Sequence, residues 1–222
     1  MKKLLFSAIV LSLFLVTSCD LFEDLTEDDK DLGGETSIAL NQVGNTFSTM
    51  GSVDGKFMDV NSSMTITQND DGVVKIAVVA DLMNFPELKK FNDLIPSVYK
   101  DSQGRLNTEL KYKITSEGIQ DYANLDSEPF TMVKYDCKVG DTYKLTKTDG
   151  KTITRTVTEK STEDDYSWGW LMIKTITVEQ DSRIPGISKI VYRFNHKFGL
   201  VSAEVVAEDG SKVSSQFYPA NY

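Results

Sequence analysis

Cysteine, histidine and proline are scarce in this chain. Of its 222 residues two are Cys, one is His and five are Pro. So few cysteines exclude a disulfide framework, and a buried apolar core must hold the fold instead. The single histidine, His196, excludes the usual His-rich zinc sites and leaves a Ser-His-acid triad one candidate base. Basic residues are outnumbered, 24 Lys and Arg against 33 Asp and Glu, for a net charge of −9. No basic stripe of the kind that neutralises phosphates is present, which argues against nucleic acid as a partner. The Gly-x-Ser-x-Gly elbow, the His-Glu-x-x-His helix, the phosphate loop and the Gly-x-Gly-x-x-Gly turn are all absent. Asn69-Asp70-Asp71-Gly72 lacks the ligand spacing of a calcium loop and reads as a hairpin turn. The expectation is a protein without catalytic residues, metal or cofactor.

What is present begins at the amino terminus. Lys2 and Lys3 precede an apolar run over residues 4–16, interrupted only by Ser7 and Ser12. Thirteen residues are too few to span a bilayer, which needs about 20, but they suit a cleaved signal segment. Val16-Thr17-Ser18-Cys19 closes it, small residues leading into a cysteine. Residues 20–31 then carry seven acids and one base. Such a run repels itself and stays extended, and Gly33-Gly34 marks the hinge to the folded body. The expected organisation is a signal over 1–18, an acidic flexible tether over 19–35 and a single body over 36–222.

In the body Phe, Tyr, Thr and Val are plentiful, the composition of strands. Val133, Tyr135, Cys137 and Val139 alternate with Lys134, Asp136 and Lys138, so a strand with Cys137 facing inward as a small hydrophobe is expected. Short motifs recur in order. Val43-Gly44-Asn45-Thr46-Phe47 returns as Val139-Gly140-Asp141-Thr142-Tyr143, Asp54-Gly55-Lys56 as Asp149-Gly150-Lys151, and Thr65-Ile66-Thr67 as Thr156-Val157-Thr158. Val73-Val74-Lys75-Ile76 aligns with Met172-Ile173-Lys174-Thr175, and Tyr112-Lys113-Ile114 with Tyr192-Arg193-Phe194. The spacing predicts an internal duplication, with repeats over 38–125 and 130–208. The first copy holds extra residues that read as a helix over 86–95, with Asn84 as cap, Pro86 in the first turn and Pro96 as stop. The fold class that follows is all-β and mainly antiparallel, with about ten strands forming a barrel, half-barrel or sandwich, and one short helix.

The basic start, short apolar core and small-residue run into Cys19 resemble the signal of bacterial lipoproteins, with Val16 where that family usually has Leu. The resemblance implies a thioether-linked diacylglycerol on Cys19 and a third acyl chain on its amine, and hence a chain anchored to a membrane of the cell envelope by lipid rather than by a helix. The acids after Cys19 resemble the surface-export signal of Bacteroidota lipoproteins. Asp20 alone resembles the inner-membrane retention signal of enterobacteria. The acids continue well past position 20, which favours the first, and the outer membrane. Val139-Gly140-Asp141-Thr142-Tyr143 with Phe198-Gly199-Leu200-Val201 resembles a β-sheet module of uncharacterised bacterial lipoproteins, which implies no activity.

One segment reads as a site. Glu163-Asp164-Asp165-Tyr166-Ser167-Trp168-Gly169-Trp170 holds both tryptophans of the chain. Two positions apart on an extended chain, Trp168 and Trp170 project to one side, and flat aromatic faces beside carboxylates suit a sugar. Tyr166, Trp168 and Trp170 are thus the candidate ligand-binding residues, although aromatics also fill cores. The first reading of function is a lipid-anchored, non-catalytic β module that binds a glycan or a protein. The second is a half-barrel carrier of lipid or lipoprotein, with the 86–95 helix over an apolar cavity. The third is a hydrolase built on His196 with a Ser and an acid.

Overall fold

Alternation of inward and outward side chains organises the chain from Thr46 onward. In the computed structural model, which describes residues 31–58, 60, 62–81, 97–122, 128–148, 150–182 and 186–220, nearly all regular structure is antiparallel β. The strands are β1 (Thr46–Val53), β2 (Lys56–Met58), β3 (Ser62–Asp70), β4 (Val73–Ala80), β5 (Leu106–Ile114), β6 (Gly118–Asp121), β7 (Phe130–Lys134) and β8 (Thr142–Thr146). They continue as β9 (Thr152–Lys160), β10 (Tyr166–Trp168), β11 (Leu171–Ile173), β12 (Ile176–Asp181), β13 (Ile187–Asn195), β14 (Gly199–Ala207) and β15 (Lys212–Pro219). Among the described residues the helical stretches are two 3-10 turns, Ala39–Asn41 and Ser97–Tyr99. The helix expected over 86–95 and the signal and lipidation site, Cys19 included, lie outside the described residues. Among those described, no helix is long and apolar enough to cross a membrane.

Twelve strands run in one sheet, in the order β7-β6-β5-β4-β3-β1-β15-β14-β13-β12-β9-β8, with β2 added to β1. Two meanders, from β1 to β7 and from β8 to β15, are joined where the first strand pairs with the last, Phe47 opposite Pro219 and Val53 opposite Val213. The sheet curls until β7 and β8 lie side by side. Of the barrel, half-barrel and sandwich that alternation allows, the nearly closed barrel is the one formed. Among the described residues the strands number fifteen rather than the expected ten, because β2, β10 and β11 are three residues long and β6 and β7 are too short to show a period.

Why the curl closes is visible in the inward rows. β4 places Val74, Ile76, Val78 and Ala80 inside, β5 Leu106, Leu110, Tyr112 and Ile114, and β13 Ile190, Tyr192 and Phe194. Each such aliphatic or aromatic side chain contributes about 1.5–3 kcal/mol by burial. The outward rows carry Glu109, Lys111, Thr142, Lys144 and Thr146, with Lys75 and Glu109 paired at 3.3 Å. Apolar inside and polar outside is the reverse of a barrel wall that faces lipid. Among the described residues large side chains line the interior, with a cavity of about 50 Å3 between residues such as Leu40, Met64, Leu110, Met132 and Phe217.

The seam between β7 and β8 is closed by side chains. Arg155, in the inward row of β9, donates from Nη1 to the carbonyls of Phe130 (3.1 Å) and Thr131 (3.2 Å) on β7. Its Nη2 pairs with Asp121 of β6 and its Nε donates to Gln180 Oε1 at 2.8 Å. The guanidinium lies 3.8 Å from the Phe130 ring centroid. Tyr143 Oη accepts from Lys134 N at 3.1 Å, and Lys160 Nζ donates to the carbonyls of Tyr135 (3.0 Å) and Cys137 (2.8 Å). Cys137 is buried, as expected, but in the turn after β7 rather than in a strand, because β7 ends at Lys134. Burial pushes its thiol pKa up, which keeps it protonated and unreactive.

The two Val-Gly turns bond alike. Gly44 N donates to Ile66 O at 2.8 Å and Ile66 N to Asn45 O at 2.9 Å, while Gly140 N donates to Val157 O at 2.8 Å and Val157 N to Asp141 O at 2.9 Å. Register corrects one alignment made by sequence: Ile76 faces Ile66 where Val178, not Thr175, faces Val157. The tether is corrected too. Asp31 pairs with Lys113 at 2.8 Å, Leu32 is buried with its N–H on Gln120 Oε1 at 2.9 Å, and Glu35 N donates to Ser116 Oγ at 2.9 Å. Asp31, Leu32 and Glu35 are therefore fastened to the barrel wall. Beyond them Leu40 enters the core at the barrel end where β13 turns into β14. A Cβ on Gly199 (φ 71°) would lie 2.7 Å from Leu40 Cδ2.

Several tyrosines are buried, and the cost of burying their ionised form outweighs the Arg155 cation near Tyr112 and Tyr192. Burial raises Tyr112 well above its ordinary pKa, raises Tyr135 and Tyr143, and pushes Tyr192 up to about 12. Unfolded tyrosines ionise near 10, so between about 10 and 12 the unfolded chain binds fewer protons than the folded one. Stability should therefore fall as pH rises through that window. Alkaline titration followed by tyrosinate absorbance and by circular dichroism should show these groups ionising together with loss of the fold. Their ionisation near the ordinary value in a folded chain would contradict it.

Candidate functional site

The chain leaves β9 at Lys160 and enters β12 at Ile176, and between them a separate hairpin, β10–β11, lies on the outside of the barrel. Its register pairs Tyr166 with Ile173 and Trp168 with Leu171, which makes Gly169-Trp170 a two-residue turn. Gly169 takes φ 56°, a conformation that suits glycine. Reversal at this turn is why the two tryptophans do not share a side. The expectation that both project together is corrected: Trp168 is 5% exposed and Trp170 is fully exposed at the tip.

Trp168 fastens the hairpin to the wall. Its indole Nε1 donates to Phe217 O at 3.1 Å, and its ring lies 4.5 Å from Phe198 and 5.1 Å from Tyr218 by centroids. Ile173 and Val201 complete this second, smaller apolar cluster. Tyr166 is half-buried. Its Oη accepts from Gln216 Nε2 at 3.1 Å, Tyr218 Oη donates to Gln216 Oε1, and the Arg193 guanidinium sits 5.4 Å from the Tyr166 ring centroid. Tyr166 and Trp168 are thus engaged with the barrel, and Trp170 alone of the three offers a free aromatic face.

Beneath the tip runs an open groove of about 470 Å3, lined by Met50, Trp170, Leu171, Lys197, Phe198 and Tyr218 among others. These come from β1, the hairpin, the β13–β14 turn and β15, so pairing of β1 with β15 assembles the groove. Glu163, Asp164 and Asp165, expected beside the aromatics, do not line it. Lys197 is its one charged side chain, and its Nζ lies 5.2 Å from the Phe198 ring centroid. Met50, Phe198 and Tyr218 were not foreseen. Tyr218 stands in the outward row of a strand, a position where an aromatic is a signal, but Met50 and Phe198 are distant in sequence and carry none. His196 sits exposed in the β13–β14 turn.

No protein-family model matches the chain, and no curated protein does. Among solved structures, a Bacteroides fragilis protein described as exported and as having a YmcC-like fold is similar, at 11% identity and a TM-score of 0.45, over 80% of this chain and 95% of that one.

Proposed function

We propose a lipid-anchored, non-catalytic interaction module of the cell envelope that engages a glycan or protein component through the groove under the β10–β11 hairpin. The observation that carries this reading is a contrast of volumes. The barrel interior leaves about 50 Å3 and the external groove about 470 Å3. Ligand sites usually measure a few hundred Å3, so among the described residues the groove, rather than the interior cavity, has the size of a ligand site. That weighs against the carrier reading. The anchor rests on the Cys19 signal, and intact mass of the envelope-extracted chain tests it separately.

The groove is tested by immobilising the mature chain and passing envelope polysaccharides and envelope proteins over it. Met50→Ser with Lys197→Ala should abolish capture while the melting temperature stays within about 2 °C, since both side chains line the groove at the exposed surface. Equal capture by the variant would end the assignment of this groove.

A further inference from the structure

Trp170 is fully exposed, and the two residues after it, Leu171 and Met172, are 51% and 53% exposed. Three consecutive large apolar residues at a hairpin tip run against the polar patterning of a soluble surface, and such patches mark contact sites. The tip is not a loose loop. Trp168 holds it to Phe217, and Tyr166 to Gln216. A rigid mount that presents a tryptophan and two flexible apolar side chains outward is the arrangement of an interfacial anchor, because an indole suits the boundary between headgroups and acyl chains. Lys197 stands in the same groove, and Lys174 follows the hairpin, where cations favour anionic headgroups.

The length of chain outside the structure says what the tip can reach. Eleven residues, 20–30, separate Cys19 from Asp31, and Asp31 is fixed to the wall by Lys113 and by Tyr122, whose Oη donates to it at 3.2 Å. Fully extended, the twelve steps from Cys19 to Asp31 span at most about 43 Å. An acylated Cys19 therefore confines the barrel to within that distance of the bilayer, and a weak surface contact is multiplied by the high local concentration. The groove also holds the β13–β14 turn, whose Gly199 lies against Leu40, so it sits at the barrel end that receives the Ala39–Asn41 turn.

We propose that Trp170, Leu171 and Met172 form a membrane-interface contact that seats the tethered barrel on a lipid bilayer. This rests on the anchored reading above and names the bilayer as the partner of the hairpin tip. With only two tryptophans the test is direct. Trp168 is already buried and gives a constant background, so any change in emission reports Trp170. The mature chain with Cys19→Ser, which needs no acylation, is mixed with vesicles of phosphatidylethanolamine and phosphatidylglycerol. Emission should shift to the blue and be quenched by brominated acyl chains, and Trp170→Ser with Leu171→Ser should weaken cosedimentation by about tenfold or more. No shift at high lipid, or unchanged cosedimentation of the double variant, overturns the proposal. So does a shift that grows with protein concentration in the absence of vesicles, which would assign the tip to a second copy of the chain. Intact mass at Cys19 reports on the anchor independently of these arms.

Discussion

Replacing Arg155 by Met is expected to lower the melting temperature by on the order of 10 °C. Arg155 is 4% exposed and its partner Asp121 7%. Removing one member of a buried ion pair leaves the other charge uncompensated, at a cost of about 3–5 kcal/mol. In a domain of this size each kcal/mol moves the midpoint by roughly 2–4 °C. The same guanidinium also holds the Phe130 and Thr131 carbonyls across the seam, so those acceptors lose their donor as well. The double variant Arg155→Met with Asp121→Leu should recover part of the loss, because it leaves no lone charge inside the barrel. Thermal melts of the two singles and the double measure this. A single variant melting like the native chain would show that the seam does not depend on the pair.

The second large effect separates the two tryptophans. Trp168→Ala removes a buried ring and its bond to Phe217, a change worth about 3–5 kcal/mol, and should release the hairpin from the wall. Because Trp168 belongs to the smaller cluster with Ile173, Phe198 and Val201, the damage should concentrate there. Limited proteolysis should cut within residues 161–175, and near-ultraviolet circular dichroism should weaken, whereas Trp170→Ala should leave both unchanged. Native protease resistance in Trp168→Ala would mean that the hairpin is held by something other than its indole. The contrast also explains why a binding test must avoid Trp168: loss of binding in Trp168→Ala would report a displaced hairpin.

What could be read from the residues followed from period two and from turns. Asp71-Gly72, both with positive φ, and the paired Val-Gly turns are legible because few residue types tolerate those conformations. The inward rows of β4, β5 and β9 are legible because they alternate over eight or nine residues. Strands of three residues give no period, which hid β2, β10 and β11. The site was half legible. The aromatic segment 166–170 stood out, but extending it as a strand through Gly169 put Trp168 on the wrong side. The rest of the groove depends on β1 meeting β15, a pairing between the two ends of the body that local pattern does not encode. Arg155 left a signal that could have been used: it is the one charge in the otherwise apolar inward row Ile153, Arg155, Val157.

The pairing of β1 with β15 also sets when the protein can finish folding. Phe47 must wait for Pro219, so the first strand of the barrel stays an open edge until nearly the whole polypeptide has left the ribosome. Contacts this distant in sequence slow folding. A chain arrested short of residue 212 lacks the closing strand altogether, and its two unsatisfied edges are then available to other molecules.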